Sequence, residues 1–415
     1  MTGGAGRILL LAVAAGFLLR VGFGLGYWVG KPLTHDEQEY LALASSLAEG
    51  RGFSYPPADP GQPEPERFGR APVYPLFLAG VLTAAHALGA DALVSIRLAQ
   101  AAVGALGIWL IARLAARVAG IQAGLIAAWM AALHPPLVWT PAYVFSETVY
   151  MVLALAHVHA TAGLLAGRDR ARPAPWLWSG LLGGLAALTR PAHLFYLMLL
   201  GLHLTRRGRL VAAGLLLAGA LAAIAPWTAR NAREYGRFVL IASEGGITFW
   251  TGNHPASSGE GDMAANPAIK LDNRRLRAEH PGLTPEQLEP VYYREALDAI
   301  GRDPVWWAGL LARKAFYTWV PIGPSYTLHS TRYLAPSVAS YGVLLAAGIA
   351  GALVVVRRRR WPTALGLLLG SAALVCVVFF PQERFRIPVI DPTLIVLAAS
   401  GLALSRRLAP PKTSA

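Results

Sequence analysis

Residues 8–28 read ILLLAVAAGFLLRVGFGLGYW, and residues 32–53, which follow almost at once, read PLTHDEQEYLALASSLAEGRGF. The first stretch is apolar and has the length of roughly 20 residues that a membrane-spanning helix needs. It lacks a small-residue cleavage site before the polar stretch, so we interpret it as a retained first span and not as a removed signal sequence. The second stretch begins with His35, Asp36, Glu37 and Glu39 and continues as an amphipathic helical pattern that closes at Gly50. The chain therefore places a dense acidic segment where it leaves the membrane.

The composition predicts a polytopic membrane protein. Of the 415 residues, 55% are hydrophobic and only 14% are charged, and the mean hydropathy is +0.44, which is too apolar for a set of soluble domains. A net charge of +14 would suggest a nucleic-acid partner in a soluble protein. Here the arginines gather at the ends of apolar runs, as they do in cytoplasmic loops, so no nucleic-acid partner is expected. Cys376 is the only cysteine, which excludes an intramolecular disulfide.

The acids are segregated from the arginine clusters. Seven of the 23 acids lie in residues 36–66 and eleven lie in residues 230–303. The arginine clusters lie elsewhere, at residues 113–117, 168–172, 206–209, 357–360 and 406–407. The positive-inside rule then predicts that both termini lie inside and that the acidic segments lie outside.

The apolar runs predict an all-α bundle of about ten to twelve transmembrane helices with the architecture of one membrane-embedded domain over residues 1–415. Two outer loops are expected, a first loop at residues 29–92 and a large loop at residues 227–336. Within these loops, Val73–Leu88 and residues 304–321 are too short, or too interrupted by charge, to span the bilayer. We expect both to be juxtamembrane helices on the outer side.

Two further features concern helix breaks and contacts. The sequence TRP at residues 189–191 is expected to split the apolar run Leu177–Leu204 into two short membrane spans, with Arg190 near the outer face. The run Leu210–Ile224 is expected to end at the following PWTARN. Gly180 and Gly184 have the spacing at which small residues let two helices approach closely.

The acids of the first loop have two possible roles. Asp36 and Glu39 are three residues apart at a helix start, which is the spacing of an N-cap and its supporting glutamate. Their position at the water–lipid boundary favours chemistry, because a carboxylate there can take a proton from a hydroxyl beside a lipid-borne substrate. Glu147 begins a later apolar run after an aromatic, proline-rich turn. It is either an ordinary carboxylate at a helix amino end or a group that orients a base or holds a cation.

Several arginines violate the positive-inside pattern. Arg70, Arg190, Arg230, Arg384 and Arg386 fall on the outer side by the parity of the spans. Their natural partner is an anionic phosphate, since the guanidinium fork matches phosphate oxygens, and lipid headgroups are the alternative.

Cofactor motifs are scarce. His35 with its neighbouring carboxylates could hold a divalent metal, although the spacing does not require one. The chain contains no Gly-rich phosphate loop, Walker motif or G-x-S-x-G sequence, so an activated donor is expected to come from the membrane itself.

A series of motifs occurs in a characteristic order along most of the chain: HDEQEYLALASSLAEGRGF, GRAPVYPLFLAG, HPPLVWTPAYVFSETVY, GLAALTRPAH, APWTARNAREYGRFVLIASEGGITFWTGNHPASSGEG and ERFRIPVIDP. With these motifs the chain resembles the type C glycosyltransferases of the protein O-mannosyltransferase-like group. This group includes the aminoarabinose transferases of lipid A and the galacturonic acid transferases of lipopolysaccharide core.

The resemblance implies an inverting transfer of a sugar from a polyprenyl-phosphate carrier to a lipid, glycan or protein acceptor at the outer face of the bacterial cytoplasmic membrane. It implies that Asp36, with Glu37 beside it, is the catalytic carboxylate and that Glu147 is the second acid. Arg70 and Tyr74 lie in the GRAPVYPLFLAG motif and are expected to bind the phosphate. The acid–lysine pair of the aminoarabinose branch is replaced here by Gly69 and Arg70, so the phosphate charge is kept and a metal ligand is lost.

Two other classes of function stay open from the sequence. A transporter or lipid flippase would need charged residues along a path through the bilayer, whereas the acids here concentrate in the two outer loops. A non-catalytic membrane scaffold would tolerate the loss of Asp36.

Overall fold

A computed structural model describes residues 3–56, 69–167, 174–259, 261, 263, 266–321 and 331–406. Within these ranges the regular elements are helices and no strand occurs. In chain order the helices are α1 Gly3–Phe23, α2 His35–Ala48, α3 Val73–Leu88, α4 Ala92–Ala119, α5 Ile121–Leu133, α6 Pro135–Trp139, α7 Glu147–Ala166, α8 Ala174–Ala187, α9 His193–Arg206, α10 Leu210–Tyr235, α11 Gly245–Gly252, α12 Pro267–Glu279, α13 Pro285–Arg302, α14 Pro304–Trp319, α15 Thr331–Arg357, α16 Thr363–Val378, α17 Glu383–Arg386 and α18 Ile390–Arg406. The predicted all-α fold is confirmed.

The chain is an integral membrane protein with several apolar helices. In the described ranges, five are long and apolar enough to cross a bilayer: Gly3–Trp28, Ala92–Ala119, Glu147–Ala166, Leu210–Tyr235 and Leu334–Arg357. A sixth span would combine α5 with Pro135–Ala142, which are bent by 65°. Fewer helices than the expected ten to twelve are long enough to span a bilayer, because other apolar helices are short. Helices α8 and α9 have 14 residues each, about 21 Å of helix against a hydrocarbon thickness of about 30 Å.

The predicted helix break and the two predicted short helices are present, but one helix end differs. Residues 188–192 separate α8 from α9, as the TRP sequence predicted, and both Val73–Leu88 and Pro304–Trp319 are helical. Helix α10 does not end at Ile224 but continues through Pro226 to Tyr235. A proline inside a helix removes one backbone hydrogen bond, and the segment remains helical despite that loss.

Small residues allow close packing between neighbouring helices. Helix α8 lies along α10, and a Cβ atom added at Gly184 would stand 2.6 Å from Ala223 Cβ and 2.7 Å from Ala220 O. The predicted helix contact through Gly180 and Gly184 is therefore confirmed. The same kind of contact joins α15 to α18, where Gly351 meets Gly401.

Replacing Gly184 by valine is expected to destabilise the bundle by about 1–3 kcal/mol, because the added side chain collides with α10 backbone. The matched control is Gly214→Val, since Gly214 lies on α10 with nothing near its Cβ position. The measurement is the thermal midpoint of both variants in detergent, followed by size-exclusion chromatography. Equal midpoints for the two variants would contradict the predicted contact.

The fold brings the starts of several elements to one end of the bundle. Helix α2, the start of α7 and the short helix α17 meet there, as the ion pairs below document. Helix α7 has 20 residues, about 30 Å, so its far end lies one bilayer thickness away. At that far end Arg360 donates to Val118 O, at the end of α4, which places two arginine-rich segments together.

Candidate active site

Asp36 lies in the first turn of α2, and other residues cap this helix. Thr34 is the N-cap, and its backbone N–H and hydroxyl donate to Glu37 Oε2 at 2.8 and 3.0 Å. The backbone N–H of Val144 donates to Glu37 Oε1 at 2.8 Å. The expected cap at Asp36 with Glu39 is therefore wrong. Thr34 and Glu37 carry the same three-residue spacing, and the fold uses this earlier pair.

Glu37 has a structural position, although the resemblance placed it beside the catalytic acid. Its side chain is buried and both oxygens accept hydrogen bonds from Thr34 and Val144. Glu37→Ala would leave the buried backbone N–H of Val144 without its acceptor, at an expected cost of about 1–3 kcal/mol. A lowered thermal midpoint should result, whereas Glu49→Ala at the exposed end of α2 should leave it unchanged. A Glu37→Ala protein with wild-type stability would overturn this assignment.

Asp36 stands between two guanidinium groups. Arg70 Nη2 donates to Asp36 Oδ1 at 3.1 Å, and Arg384 Nη1 donates to Asp36 Oδ2 at 2.6 Å. The Asp36 side chain is 30% exposed and that of Arg384 is 34% exposed, so both can meet a ligand. Burial by itself would raise the pKa of the Asp36 carboxyl, but Arg384 and Arg70 more than offset it and hold that pKa well below its usual range.

Glu147 also forms an ion pair with Arg384. Arg384 Nε donates to Glu147 Oε1 at 2.7 Å, and Arg190 Nη1 lies 2.8 Å from the same oxygen. The guanidinium of Arg384 also lies 4.1 Å from the ring centre of Phe145. Glu147 is 2% exposed. It therefore supports Arg384 from a buried position, and Arg384 is the more exposed residue of this ion pair. Arg384 therefore bridges the two carboxylates that begin α2 and α7.

Arg70 lies at the centre of a second group of acids. It forms ion pairs with Glu39 and with Glu244, the latter through Nη1 and Oε2 at 2.6 Å. Its guanidinium lies 5.3 Å from the ring centre of Tyr40. Burial alone would lower the pKa of Arg70, yet the surrounding acids raise it well above its usual value, so the group stays cationic.

Arg386 and Tyr74 lie away from this exposed surface. Arg386 is buried, stacks 3.6 Å from the ring centre of Tyr341 and pairs with Glu383 and Asp391. Tyr74 is completely buried and donates its hydroxyl to Gln100 Oε1 at 2.9 Å. Neither presents a group to a phosphate in this structure. The reason is geometric: Arg384 and Arg386 are two residues apart on one short helix, so they project in roughly opposite directions.

Arg386 instead helps to fix α17, which carries Arg384. Asp391 Oδ2, near Arg386, lies at a hydrogen-bond distance of 2.9 Å from His134 Nε2, and both residues are buried. These contacts join α17 to the start of α18 and to the junction of α5 and α6. They constrain the one-turn helix α17, which places Arg384 between Asp36 and Glu147.

The structure thus brings together five of the predicted site residues, and these are Asp36, Arg70, Glu147, Arg190 and Arg384. Sequence reasoning missed Glu244 as a partner of Arg70 and Asp391 as an anchor of Arg386. Glu244 directly precedes GGITFWTGNHP within the longer resembling motif that begins APWTARN, and this position was the available signal. Asp391 was one of few acids outside the two outer loops, and that isolation was its signal.

One group of residues near the site has the geometry of a possible metal site. Among the described residues, His35, Asp36 and Glu39 offer ligand atoms within 4.8 Å of one another. In the described part of the chain Glu39 Oε1 is buried without a hydrogen-bond partner, 4.0 Å from His35 Nδ1. However, Arg70 donates to both Asp36 and Glu39, so its positive charge already occupies the space between these carboxylates. A divalent cation held by these three residues would have to share the two carboxylates with Arg70.

Comparison with known proteins finds one family model and several solved structures that are similar to this chain. Residues 70–229 match the family model described as dolichyl-phosphate-mannose-protein mannosyltransferase. The archaeal oligosaccharyltransferase AglB from Archaeoglobus fulgidus, solved with an inhibitory peptide and a dolichol-phosphate, aligns with 99% of this chain at 16% identity and a TM-score of 0.56. The chain shares its fold with this archaeal structure.

The archaeal structures are about twice as long as the part that this chain matches. The chain covers 53% of AglB, about half of its length. A second Archaeoglobus fulgidus oligosaccharyltransferase structure, a complex with Zn and sulfate, aligns with 96% of this chain and 49% of its own at 16% identity and a TM-score of 0.55. ArnT from Cupriavidus metallidurans bound to undecaprenyl phosphate aligns with 99% of this chain and 82% of its own at 14% identity and a TM-score of 0.45. No curated protein matches the chain.

Proposed function

We propose that this protein is an inverting glycosyltransferase that moves a sugar from a polyprenyl-phosphate carrier to an acceptor hydroxyl. The observation that carries the proposal is the partly exposed pair of Asp36 and Arg384, joined at 2.6 Å and supported by buried Glu147. One member can take a proton and the other can bind a phosphate, so the pair supplies both groups that this transfer needs. The type C fold and the matched mannosyltransferase segment support the same reaction class.

The reaction proceeds by in-line displacement at the anomeric carbon. The acceptor oxygen forms its bond to this carbon while the bond from the carbon to the phosphate oxygen breaks, and the configuration inverts. The electron pair leaves with the polyprenyl phosphate, whose added negative charge Arg384 and Arg70 stabilise. The acceptor proton passes to the Asp36 carboxylate.

Donor binding also prepares the base. In the structure, Arg384 and Arg70 hold the pKa of Asp36 well below its usual range, and such a carboxylate is a weak base. A donor phosphate that accepts hydrogen bonds from Arg384 competes with Asp36 for the same guanidinium. The pKa of Asp36 then rises toward its ordinary value, so the base strengthens only when a donor is present.

The proposed location of the site is the outer face of the bacterial cytoplasmic membrane. The site lies where α7 begins, and arginine-rich ends of α4 and of the segment after α15 lie together at the far end. The positive-inside rule assigns that far end to the cytoplasm. Sugar carriers that have reached the outer leaflet are then the donors.

Transfer is expected to be independent of added metal, because Arg70 already supplies positive charge between Asp36 and Glu39. Activity should change by less than twofold after purification in EDTA and assay in chelator. The matched test compares EDTA with EDTA plus excess Mn²⁺. A complete loss in EDTA that Mn²⁺ restores would overturn the role of Arg70 and assign His35, Asp36 and Glu39 to a metal.

The experiment that tests the proposed function uses purified protein in lipid nanodiscs with radiolabelled undecaprenyl-phosphate sugars. Each donor of a hexose and pentose panel is incubated with and without extracts containing envelope lipids and glycans. The expected result is release of undecaprenyl phosphate and label in a new product, with no release by empty nanodiscs. Movement of intact donors across the bilayer of sealed proteoliposomes, without any cleavage, would overturn the proposal in favour of a flippase.

A further inference from the structure

A cavity of about 250 Å³ lies beside the active site. Its walls come from α2, the segment that follows α2, the end of α10 and the start of α13. Gly69 lines it, and the next residue, Arg70, reaches Asp36. The cavity and the site are therefore neighbours on the same stretch of chain.

Hydrogen bonds fix this shared wall. Ser243 N–H donates to Gly69 O at 2.9 Å, and Gly69 N–H donates to Ser243 Oγ at 2.7 Å. The Ser243 hydroxyl in turn donates at 3.0 Å to Oε1 of Glu286, which lines the cavity. The residue after Ser243 is Glu244, the partner of Arg70. Movement of the cavity wall is thus coupled to the position of Arg70.

The spacing along α2 sets the distance from the cavity to the base. Leu43 lines the cavity and follows Asp36 by seven residues on one face of the helix. At 1.5 Å per residue this separation is about 10 Å. A molecule bound in the cavity reaches Asp36 only if it extends over that length.

Aromatic rings form part of the cavity wall and hold an arginine in place. Arg230 Nη1 donates to the Tyr235 hydroxyl at 3.1 Å, and Nη2 donates to Phe53 O at 2.9 Å. The guanidinium also lies within 5.1–5.6 Å of the ring centres of Phe53, Trp227 and Tyr235. The rings and the cation are therefore preorganised before any ligand arrives.

The polar groups of the cavity carry both signs of charge. Glu234 and Ser54 are exposed, and Glu286 and Arg230 also line the cavity. Two carboxylates disfavour an anionic ligand, Arg230 disfavours a cationic one, and charged walls disfavour a lipid tail. A neutral ring with several hydroxyl groups satisfies these donors and acceptors, and its C–H faces pack on aromatic rings.

We infer that this cavity binds a neutral sugar ring of the acceptor, about 10 Å from the hydroxyl that Asp36 activates. The inference rests on the proposed function and names the acceptor as a glycan longer than one sugar. One ring occupies the cavity and anchors the chain. The terminal hydroxyl of the same glycan then lies beside Asp36 and the donor.

The test measures binding separately from catalysis, by saturation-transfer NMR on the full-length protein in nanodiscs. The probes are methyl β-glucopyranoside, N,N′-diacetylchitobiose and, as a peptide control, N-acetyl-lysine-serine amide. Ser54→Trp fills the mouth of the cavity from an exposed position, and Ser54→Ala removes the same hydroxyl without filling it. Donor cleavage is assayed in separate aliquots of the same preparations with undecaprenyl-phosphate sugars and the envelope extracts as the source of acceptor.

The expected result is transfer of saturation to ring protons of at least one carbohydrate in wild type and in Ser54→Ala, with at least a tenfold loss in Ser54→Trp. Asp36→Asn should lose donor cleavage but keep the carbohydrate signal. Absence of carbohydrate signal, equal signals in both Ser54 variants, or preference for the peptide would overturn the inference. Failure of donor cleavage in wild type would instead count against the proposed function, so the two failures are distinguishable.

Discussion

Asp36→Asn is expected to lower sugar transfer by about 10²–10⁴-fold, the range that a general base contributes. Asparagine keeps the size of the side chain and can still accept a hydrogen bond from Arg384 or Arg70, but it cannot take the acceptor proton. Because Thr34 and Glu37 cap α2, the substitution does not remove the helix cap. The measurement is the initial rate of product formation at saturating donor.

The controls for this variant separate chemistry from folding. The thermal midpoint of Asp36→Asn should stay close to that of wild type, because Asp36 is 30% exposed. Its two partners also keep other ion pairs, Arg70 with Glu244 and Arg384 with Glu147. Asp36→Glu keeps the carboxylate and should retain more activity than Asp36→Asn. A folded Asp36→Asn protein with wild-type transfer would show that the base lies elsewhere, and the scaffold alternative would regain support.

Arg384→Gln is expected to lower transfer by about 10²–10³-fold, as removal of a hydrogen-bond donor from a transition-state charge does. Arg384 is the exposed cation that joins Asp36 at 2.6 Å and Glu147 at 2.7 Å. Its loss removes the group that stabilises the departing phosphate and frees Asp36 from its closest cation. Arg384→Lys should recover only part of the activity, because one ammonium group cannot reproduce two guanidinium contacts to separate carboxylates.

The matched control is Arg51→Gln, an arginine of the first loop that is exposed and pairs with Glu49. Both variants are compared for the KM of the donor and for kcat. A phosphate-binding role predicts that Arg384→Gln changes both constants and that Arg51→Gln changes neither. Wild-type kinetics for Arg384→Gln, in a protein that is folded, would exclude Arg384 from the transfer.

Much of the architecture followed from local patterns. Apolar runs predicted an all-α membrane protein, the TRP sequence predicted the gap between α8 and α9, and the glycine spacing predicted the contact between α8 and α10. These features depend on residues that are close in sequence, so periodicity and length predict them well. The number of spans was less predictable, because α8 and α9 are short for a bilayer.

The candidate site was only partly predictable. Arginines that break the positive-inside pattern pointed to Arg70, Arg190 and Arg384, and the structure brings these three to the acids Asp36 and Glu147. The same rule also selected Arg386, which turns into the bundle toward Asp391. A rule that uses only charge and topology cannot predict the direction in which a side chain points from a one-turn helix.

The sequence by itself determined the membrane character, the helices and the kinds of residues available for the chemistry, because hydropathy and helical periodicity are local properties. Tertiary structure alone decided which of these residues meet. Asp36 and Arg384 are 348 positions apart, and their contact exists only because α2, α7 and α17 begin at the same end of the bundle. Packing also decided that Glu37 caps a helix while its neighbour Asp36 faces outward, since a helix turns each successive side chain by about 100°.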